Sequence, residues 1–276
     1  MRFFFLVFIS VILSWSVSNG QVFKTMTLNI RLDVKSDSLD NWHLRKKEIV
    51  QFFKNKDPKI IGLQEALLHQ LQYMDSSLVH YVSVGEGRDG QQKGEFSAIL
   101  IDTTFFKILE SGTFWLSEIP TQPSKGWDAA YPRICTYAKL KISKNGRQLW
   151  IFNTHLDHMG QKARIESVKL ILQNINSLNI GNLPHLFIGD LNATPDDKPI
   201  QMLIDAYKDN LPKKIKGAKG TFNDFGRLKN MPRIDYIFGE KIKFKQYTHL
   251  TDKRRNGRYL SDHLGVMAKI ELLKTE

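Results

Sequence analysis

The sequence predicts one domain of the α/β or α+β class over residues 21–276. Short apolar runs typical of buried strands alternate with longer segments that have a helical period. An Asn-Gly pair within residues 144–147, between two strand-like runs, predicts a β-hairpin and therefore antiparallel pairing. The 276 residues, 42% of them hydrophobic, suit one large domain or two small ones, and no linker rich in Pro, Gly or Ser divides them. We therefore expect a single core.

The strands are predicted from short runs of apolar and β-branched residues bounded by turn residues. The Gly-rich segment Gly85–Gly94 separates two of them, and residues 110–112 (Glu-Ser-Gly) indicate a hairpin turn. Lys213–Gly220 is expected to be a polar loop. In chain order the predicted strands are Val22–Ile30, Lys59–Leu63, Tyr81–Val84, Phe96–Ile101, Phe105–Leu109, Thr113–Leu116, Ile134–Ile142, Gln148–Thr154, Leu186–Ile188, Ile234–Phe238, Phe244–Leu250 and Leu264–Leu272.

Four helices are predicted from apolar residues spaced three or four apart. Asp40 or Asn41 can cap the first helix, which runs through Lys54 and ends before the breaker at Pro58. The other three are Ala66–Met74, Gln161–Leu178 and a helix that begins at Pro199.

The first 20 residues have the pattern of a secretory signal peptide. Arg2 supplies a positive start, Phe3–Leu13 is almost entirely apolar, and the small residues Ser18 and Gly20 precede the expected cleavage site. The apolar run is short for a membrane anchor, which needs about 20 residues. We therefore expect an exported protein, periplasmic or extracellular, with no integral membrane span in its mature form. Its oligomeric state is left open.

Cys135 is the only cysteine of the chain, so the sequence excludes an internal disulfide. It lies in a strand-like run, between Ile134 and Thr136, and no adjacent base would activate it. We expect a buried and inert thiol.

The chain is basic, with 40 Lys and Arg against 28 Asp and Glu and a net charge of +12. Such a balance favours anionic partners, nucleic acid among them. Much of the excess lies in Lys213–Lys219 and Lys241–Arg258, where solvated surface charge explains most of the lysines. The charge therefore gives only supporting evidence for a phosphate-bearing substrate.

Polar side chains occur where several predicted strands end. Strand ends that face the same way form a rim, and a rim of acids, amides and histidines is typical of a metal-dependent hydrolase site. The segments are Leu28-Asn29, Leu63-Gln64-Glu65, Asn153-Thr154-His155-Leu156, Gly189-Asp190-Leu191-Asn192, Ile234-Asp235-Tyr236 and Ser261-Asp262-His263.

These six segments, in this order and spacing, resemble the endonuclease/exonuclease/phosphatase superfamily, and the resemblance covers essentially the whole of residues 21–276. It implies a four-layer sandwich in which two packed mixed β-sheets are flanked by helices, with the site at one edge. It also implies a single catalytic domain that hydrolyses phosphoesters with Mg²⁺, or Mn²⁺ in its place.

The resemblance assigns Asn29, Glu65 and Asp262 to the metal. Hard oxygen ligands suit Mg²⁺, which keeps several of its waters and takes one or two carboxylates. Taken singly, Glu65 is also explained as an acid at the start of a helix, and Asn29 as a turn residue at a strand end.

The resemblance assigns catalytic roles to His155, Asp190, Asn192, Asp235 and His263. Asp235 would fix the tautomer of His263, as a carboxylate does for a catalytic histidine. His155 would bind or polarise the phosphate from the other side. Either Asp190 or His263 would accept the proton of the attacking water, and the Asn192 amide would donate to phosphoryl oxygens; an Asx-rich turn also explains residues 190–195.

Two arginines refine this interpretation. Arg133 resembles an arginine of exported bacterial and deadenylase-like members, and its planar fork can hold a phosphate; a surface salt bridge explains it equally well. Arg31 stands where abasic-site endonucleases of the superfamily carry an acid, which argues against abasic-site repair.

We therefore expect an exported Mg²⁺-dependent phosphoesterase acting on a nucleic acid, a nucleotide, a phospholipid head group or a sugar phosphate. The basic balance favours a nuclease, and a sphingomyelinase-like phosphodiesterase is the alternative. In that case Phe114-Trp115-Leu116 could form an exposed apolar hairpin, although a buried strand explains it better.

A binding module that keeps the fold but lacks activity is disfavoured because all the key groups are present. A serine hydrolase or a zinc protease is not indicated, since Gly-x-Ser-x-Gly and His-Glu-x-x-His are absent.

Overall fold

A computed structural model describes residues 21–273, so the predicted signal peptide lies outside the described residues. Between these limits the chain forms twelve β-strands and four α-helices. The strands are β1 (Val22–Asn29), β2 (Ile60–Gln64), β3 (Tyr81–Val84), β4 (Ile99–Asp102), β5 (Phe106–Trp115), β6 (Ile134–Ile142), β7 (Gln148–His155), β8 (His185–Asp190), β9 (Lys216–Gly217), β10 (Asp235–Glu240), β11 (Ile242–His249) and β12 (Val266–Leu272). The helices are α1 (Trp42–Lys56), α2 (Leu68–Ser77), α3 (Gln161–Leu178) and α4 (Lys198–Ala206).

The strands form two sheets that pack face to face. One sheet has seven strands in the order β3-β4-β2-β1-β12-β11-β9, and the other has five in the order β10-β8-β7-β6-β5. A central core lies between the sheets, a second core joins the larger sheet to α1 and α2, and a third joins the smaller sheet to α3 and α4. The layers are therefore helix, sheet, sheet and helix, which confirms the predicted four-layer sandwich.

Each sheet contains a parallel pair whose strands end at the same edge of the molecule. In the larger sheet β1 and β2 are parallel, and Asn29 stands opposite Gln64. In the smaller sheet β7 and β8 are parallel, with His155 opposite Asp190. The polar residues at the ends of both parallel pairs therefore lie at the same edge of the molecule.

The first helix begins as the sequence predicts. Asn41 is its N-cap, and the side chain of that residue accepts a hydrogen bond from the backbone N–H of His43. The helix ends at Asp57, which adopts the left-handed conformation with φ 51°. The predicted bounds of α3 and of the β6–β7 hairpin agree with the structure to within one residue.

The hairpin predicted at residues 110–112 is wrong. Strand β5 runs unbroken through these residues, with a bulge between Ile108 and Glu110, and pairs with β6 along its whole length. Gly112 is not a turn residue: a Cβ at this position would lie 2.5 Å from the hydroxyl of Tyr137, its cross-strand neighbour. The glycine makes room for that ring.

The apolar run that follows in β5 is buried. Phe114, Trp115 and Leu116 are 7%, 5% and 1% exposed, so they form no apolar hairpin on the surface. Cys135 is fully buried and free, as predicted, and burial raises the pKa of its thiol. In residues 21–273 none of the helices has the length and apolar character that crossing a bilayer requires.

A buried polar link joins the two sheets beside their polar ends. Asn153 of β7 donates to the backbone carbonyls of Leu63 and Ala98 at 3.0 and 2.8 Å, and its Oδ1 accepts from Gln64 Nε2 at 2.7 Å. Gly62 of β2 lies against the same asparagine, since a Cβ there would be 2.7 Å from Asn153 Oδ1. The sheets therefore approach closely and in a fixed register where the polar edge begins.

Candidate active site

The polar ends of the strands surround a cavity of about 600 Å³. Asn29 and Asp235 lie beneath its surface and bond to residues that line it. The structure therefore brings together all nine residues that the sequence predicts for the site. The residues that line the cavity are Arg31, Leu32, Glu65, Arg88, Glu95, Tyr131, Arg133, His155, His158, Asp190, Asn192, Phe222, Asp224, Phe225, Arg227, Ile234, Asp262 and His263.

Strand register places three of these residues side by side. His155 of β7 is opposite Asp190 of β8, and Asp190 is in turn opposite Asp235 of β10. His263 reaches the group from the loop before β12, and its Nδ1 lies 2.9 Å from Asp235 Oδ2. A row of adjacent strand ends therefore forms the floor of the cavity.

The imidazole of His263 is held between two carboxylates. Its Nδ1 bonds to Asp235 and its Nε2 lies 3.6 Å from Asp190 Oδ2. Burial lowers the pKa of His263, but the charges of Asp235 and Asp190 outweigh burial and hold it well above its ordinary value. The predicted partnership of His263 with Asp235 is present, and the two carboxylates favour the protonated form of the ring.

Asp190 is a buried acid at the centre of the site. Its Oδ2 accepts from Asn29 Nδ2 and its Oδ1 accepts from the backbone N–H of Asn192, both at 3.0 Å. Burial raises its pKa to about 7, against the opposing effect of the His263 charge. A carboxyl group with that pKa can accept and release a proton near neutral pH.

His155 is neutral, in contrast to His263. Burial and the nearby Arg133 lower its pKa well below the ordinary value. Asn192 Nδ2 donates to His155 Nε2 at 3.0 Å and to the carbonyl of Leu156 at 2.9 Å, which leaves the ring proton on Nδ1. Both amide protons of Asn192 are therefore engaged within the protein, so Asn192 orients His155; its contact with phosphoryl oxygens stays a prediction.

Two further acids face the other side of the cavity. Glu65 follows β2, and its Oε1 accepts from Asn29 Nδ2 at 3.0 Å. Arg31 lies 3.9 Å from Glu65 Oε2 and 3.8 Å from Asp262 Oδ2, while its guanidinium bonds to Asp37. Burial raises the pKa of Asp262, and the negative charge of Glu65 raises it further. These oxygens form a pair of like charges that a cation would stabilise.

Two groups of side chains could hold that cation. Ligand atoms of Asp190, Asp235 and His263 all lie within 4.8 Å of one another. However, Asp235 and His263 already bond to each other, and the charged imidazole would repel a metal ion. Glu65 and Asp262 offer hard carboxylate oxygens that are not bonded to an imidazole, and Arg31, which lies within 3.9 Å of both, is itself held by Asp37, so the donor chemistry of the acidic pair fits Mg²⁺ better.

Asn29 links the two halves of the site. Its Nδ2 donates to both Glu65 and Asp190, and its Oδ1 accepts from the backbone N–H of Arg31. Placed in this way, the amide positions carboxylates of both halves. Its predicted role as a metal ligand would use the second lone pair of the same oxygen.

Arg133 is buried at the cavity wall, not at the outer surface. Its Nε bonds to Asp157 at 3.3 Å and its Nη2 lies 3.2 Å from His158 Nδ1. Asp157 also accepts from the backbone N–H groups of Met159 and Gly160. The alternative of a surface salt bridge therefore does not apply, and the guanidinium is held beside His155.

Asp224 and Phe225 of the cavity have φ of 48° and 52°, and three further cavity residues also have a positive φ: Arg31 at 61°, Glu65 at 58° and Asn192 at 46°. These three share one position relative to the strands. Each follows the end of a strand, where the chain turns sharply and turns its side chain into the cavity. Non-glycine residues seldom adopt this conformation, and such strain is concentrated at functional sites.

Sequence patterns missed Arg45, which supports the site from α1. The fully buried Arg45 of α1 donates to the carbonyls of Ile30 and Leu260, both at 2.9 Å, and so fixes the segments that carry Arg31 and Asp262. An arginine in an amphipathic helix gives no signal of such a role. A buried charge opposite bare strand-end carbonyls is visible only in three dimensions.

The fold and the site together define an α/β-sandwich protein with a polar cavity of carboxylates and imidazoles at its strand ends. The chain belongs to the endonuclease/exonuclease/phosphatase family, whose model matches residues 26–263. Members of this family hydrolyse phosphoesters.

Solved structures of similar proteins agree with this assignment. A Bacteroides thetaiotaomicron protein of the family is 36% identical with a TM-score of 0.85, and the match covers 92% of this chain and 98% of the other. A Bacteroides vulgatus protein is 34% identical with a TM-score of 0.85, over 91% and 99%. A mannosyl-6-phosphatase of B. thetaiotaomicron is 37% identical with a TM-score of 0.84, over 90% and 99%. The curated proteins include no match to the chain.

Proposed function

We propose that this protein is an exported, divalent-metal-dependent hydrolase of small phosphomonoesters, with sugar phosphates as the foremost class. One observation carries the proposal: the imidazoles of His155 and His263 lie 3.5 and 3.6 Å from the same oxygen of Asp190, and the pKa of His263 is held well above its ordinary value whereas that of His155 is held well below it. A cationic donor beside a proton acceptor is what attack of water on a phosphate requires.

In this proposal Glu65 and Asp262 would hold Mg²⁺, or Mn²⁺, which would supply positive charge next to the phosphoryl group. Asp190 accepts the proton of the attacking water as the oxygen of that water bonds to phosphorus. The P–O bond to the alcohol breaks, and the alcohol oxygen takes up a proton from solvent. His263, held by Asp235, donates from Nε2 to a phosphoryl oxygen, while Arg133 binds another. Asn192 orients the neutral ring of His155 by donating a hydrogen bond to its Nε2, which lies 3.5 Å from Asp190 Oδ2.

The cavity itself supports a small substrate. Its volume of about 600 Å³ falls within the range for small-molecule sites. Five acids and four arginines line it, and among the described residues no lysine does, so the net charge of +12 is not concentrated there. The similar Bacteroides mannosyl-6-phosphatase supports sugar phosphates as the first class to test.

A nuclease is the second candidate, because the chain as a whole is basic. A panel of esters separates the two: hexose 6-phosphates, nucleotides, single- and double-stranded DNA, RNA and sphingomyelin, each with EDTA and then with excess Mg²⁺. We expect the fastest phosphate release from sugar monophosphates, lost with EDTA and restored by Mg²⁺. Faster cleavage of nucleic acid would favour the second candidate, and no hydrolysis of any ester would contradict the function.

Export rests on the pattern of the first 20 residues. We expect the full chain, expressed in a bacterium, to leave the cytoplasm and to begin at Gln21 by N-terminal sequencing. A cytoplasmic product that still carries Arg2 would contradict export while leaving the phosphoesterase proposal intact.

A further inference from the structure

We infer that Arg88 and Glu95 form a hydroxyl-binding subsite that selects phosphate esters of polyhydroxy alcohols. This inference rests on the proposed function, since it concerns the alcohol half of the same substrate. Both residues line the cavity, and neither has a part in the proposed chemistry. They also border a small crevice of about 10 Å³ together with Arg133 and His155, which places them next to the phosphate-binding wall.

The loop that carries the pair is folded back on itself. The backbone N–H of Arg88 donates to the carbonyl of Glu95 at 2.9 Å, and that of Asp89 donates to Lys93 at 3.1 Å. Trp115 of β5 donates from Nε1 to the carbonyl of Arg88 at 2.7 Å. Since backbone contacts already hold the loop, the side-chain pair is not needed to close it, and the loop presents that pair from a rigid base.

The two side chains form one unit that leaves acceptor capacity free. Arg88 Nη2 bonds to Glu95 Oε1 at 2.8 Å, and each side chain is 15% exposed. This contact does not use Glu95 Oε2, and Arg88 Nε is a buried donor without a hydrogen-bond partner in residues 21–273. The guanidinium of Arg88 lies 4.8 Å from the centre of the Tyr131 ring, which stacks on His158 at 6.0 Å. The wall thus combines an acid, a guanidinium and an aromatic face.

The chemistry of this wall favours hydroxyl groups over a second phosphate. A carboxylate accepts hydrogen bonds from hydroxyls, whereas it repels a phosphate, and a guanidinium donates to hydroxyl oxygens. A site that bonds a substrate hydroxyl discriminates strongly against an analogue that lacks it, because its own polar groups are left unpaired. The nearby Arg133 is positioned to take the phosphate, so the alcohol would lie against Glu95 and Tyr131.

The test compares two esters, hexose 6-phosphate and phenyl phosphate, which has no hydroxyl on its leaving group. We expect Glu95→Gln to lower kcat/KM for hexose 6-phosphate about tenfold or more, because the substrate would lose a hydrogen bond to a charged acceptor. The kcat/KM of the variant for phenyl phosphate should change by less than about threefold, and this activity also shows that the variant is folded. Glu86→Gln is the matched control, because Glu86 lies on the same loop but is exposed and outside the cavity. It should behave as wild type on both esters.

Equal losses of kcat/KM on the two esters would overturn the subsite, since Glu95 would then serve the phosphate or the fold. Unchanged kcat/KM on both esters would overturn it as well. If the wild type hydrolyses neither ester, the proposed function fails on its own terms. The subsite is then decided by calorimetry with hexose 6-phosphate: tighter binding to wild type than to Glu95→Gln supports it, and equal or absent binding overturns it.

Discussion

At the scale of single residues, the titratable groups of the cavity have surroundings that shift their pKa values in different directions. The pKa of His263 is held above its ordinary value because two carboxylates face the ring, whereas the pKa of His155 is held below it because that ring is buried next to Arg133. Identical side chains therefore take different roles. The sequence motifs predicted both histidines and the Asp235 partner of His263, since each stands at a strand end. They could not predict the charge state, which depends on neighbours brought from other strands.

Asp235 provides a direct test of this division. Asp235→Asn removes the charge that holds His263 as a cation in one tautomer, so we expect kcat to fall about 10⁴-fold with little change in folding. The measurement is phosphate release together with a urea unfolding curve. Asp205→Asn, at an exposed position on α4, is the control and should retain full activity. A loss below about tenfold for Asp235→Asn would show that the pair is not catalytic.

The strained and supporting residues mark the limit of sequence reasoning at this scale. Arg31, Glu65 and Asn192 all have positive φ, and only Glu65 and Asn192 were predicted for the site. Arg45 was missed, because its partners are backbone carbonyls from distant segments. Strand-end motifs identify residues that act directly on a substrate. They do not identify a buried residue that holds those strand ends.

At the scale of elements, most helices and strands could be predicted because local pattern and burial agree. The β6–β7 hairpin follows from its Asn-Gly turn, and α3 follows from its apolar spacing. The failure in β5 has a physical cause: Gly112 has the composition of a turn residue but accommodates the Tyr137 ring on an extended strand. Only the cross-strand neighbour distinguishes these two uses of glycine.

Gly62 of β2 tests the close approach of the sheets. A Cβ at this position would lie 2.6 Å from Ile188 Cδ1 and 2.7 Å from Asn153 Oδ1. We expect Gly62→Ala to lower the free energy of unfolding by about 1–3 kcal/mol through overpacking, as measured by urea denaturation. Gly181→Ala is the control, since its nearest neighbouring atom is 3.9 Å away. Equal stability of the two variants would show that the sheets are not constrained at this point.

His185 of β8 predicts how the stability of the smaller sheet depends on pH. Burial lowers the pKa of His185 from 6.5 to about 4, and its Nε2 lies 3.0 Å from the Tyr207 hydroxyl. Below pH 6.5 the unfolded state therefore binds a proton at His185 more readily than the folded state does. The contribution of His185 to the free energy of unfolding is fully present above that pH and is lost as pH falls toward 4. From pH 6.5 to 5.5 the contribution lost is about 1 kcal/mol.

The measurement is the free energy of unfolding at the two pH values for wild type and His185→Gln. We expect the wild type to lose about 1 kcal/mol more than the variant, because glutamine does not titrate. His80→Gln, at an exposed position, should behave as wild type. The same pH dependence in wild type and His185→Gln would mean that His185 does not titrate between these pH values.

At the scale of the whole molecule, the net positive charge is not concentrated in the cavity. The net charge of +12 belongs to the chain, whereas five acids and four arginines line the cavity. The sequence alone favoured a nucleic acid substrate because composition does not show where the lysines lie. The two-sheet architecture, in contrast, followed from the resemblance of six short motifs to one superfamily, and the structure confirms it.

The central claim is that residues from both sheets form a single reaction centre. Glu65 follows β2 of the larger sheet and His155 ends β7 of the smaller one, yet both line one cavity. The most direct measurement is a double-mutant cycle in kcat/KM for phosphate release, using Glu65→Gln, His155→Gln and the double variant. We predict that each single change lowers kcat/KM and that the double variant is slower by less than the product of the two losses, with a coupling of about 1 kcal/mol or more. Losses that multiply, or a single variant as fast as wild type, would contradict the claim.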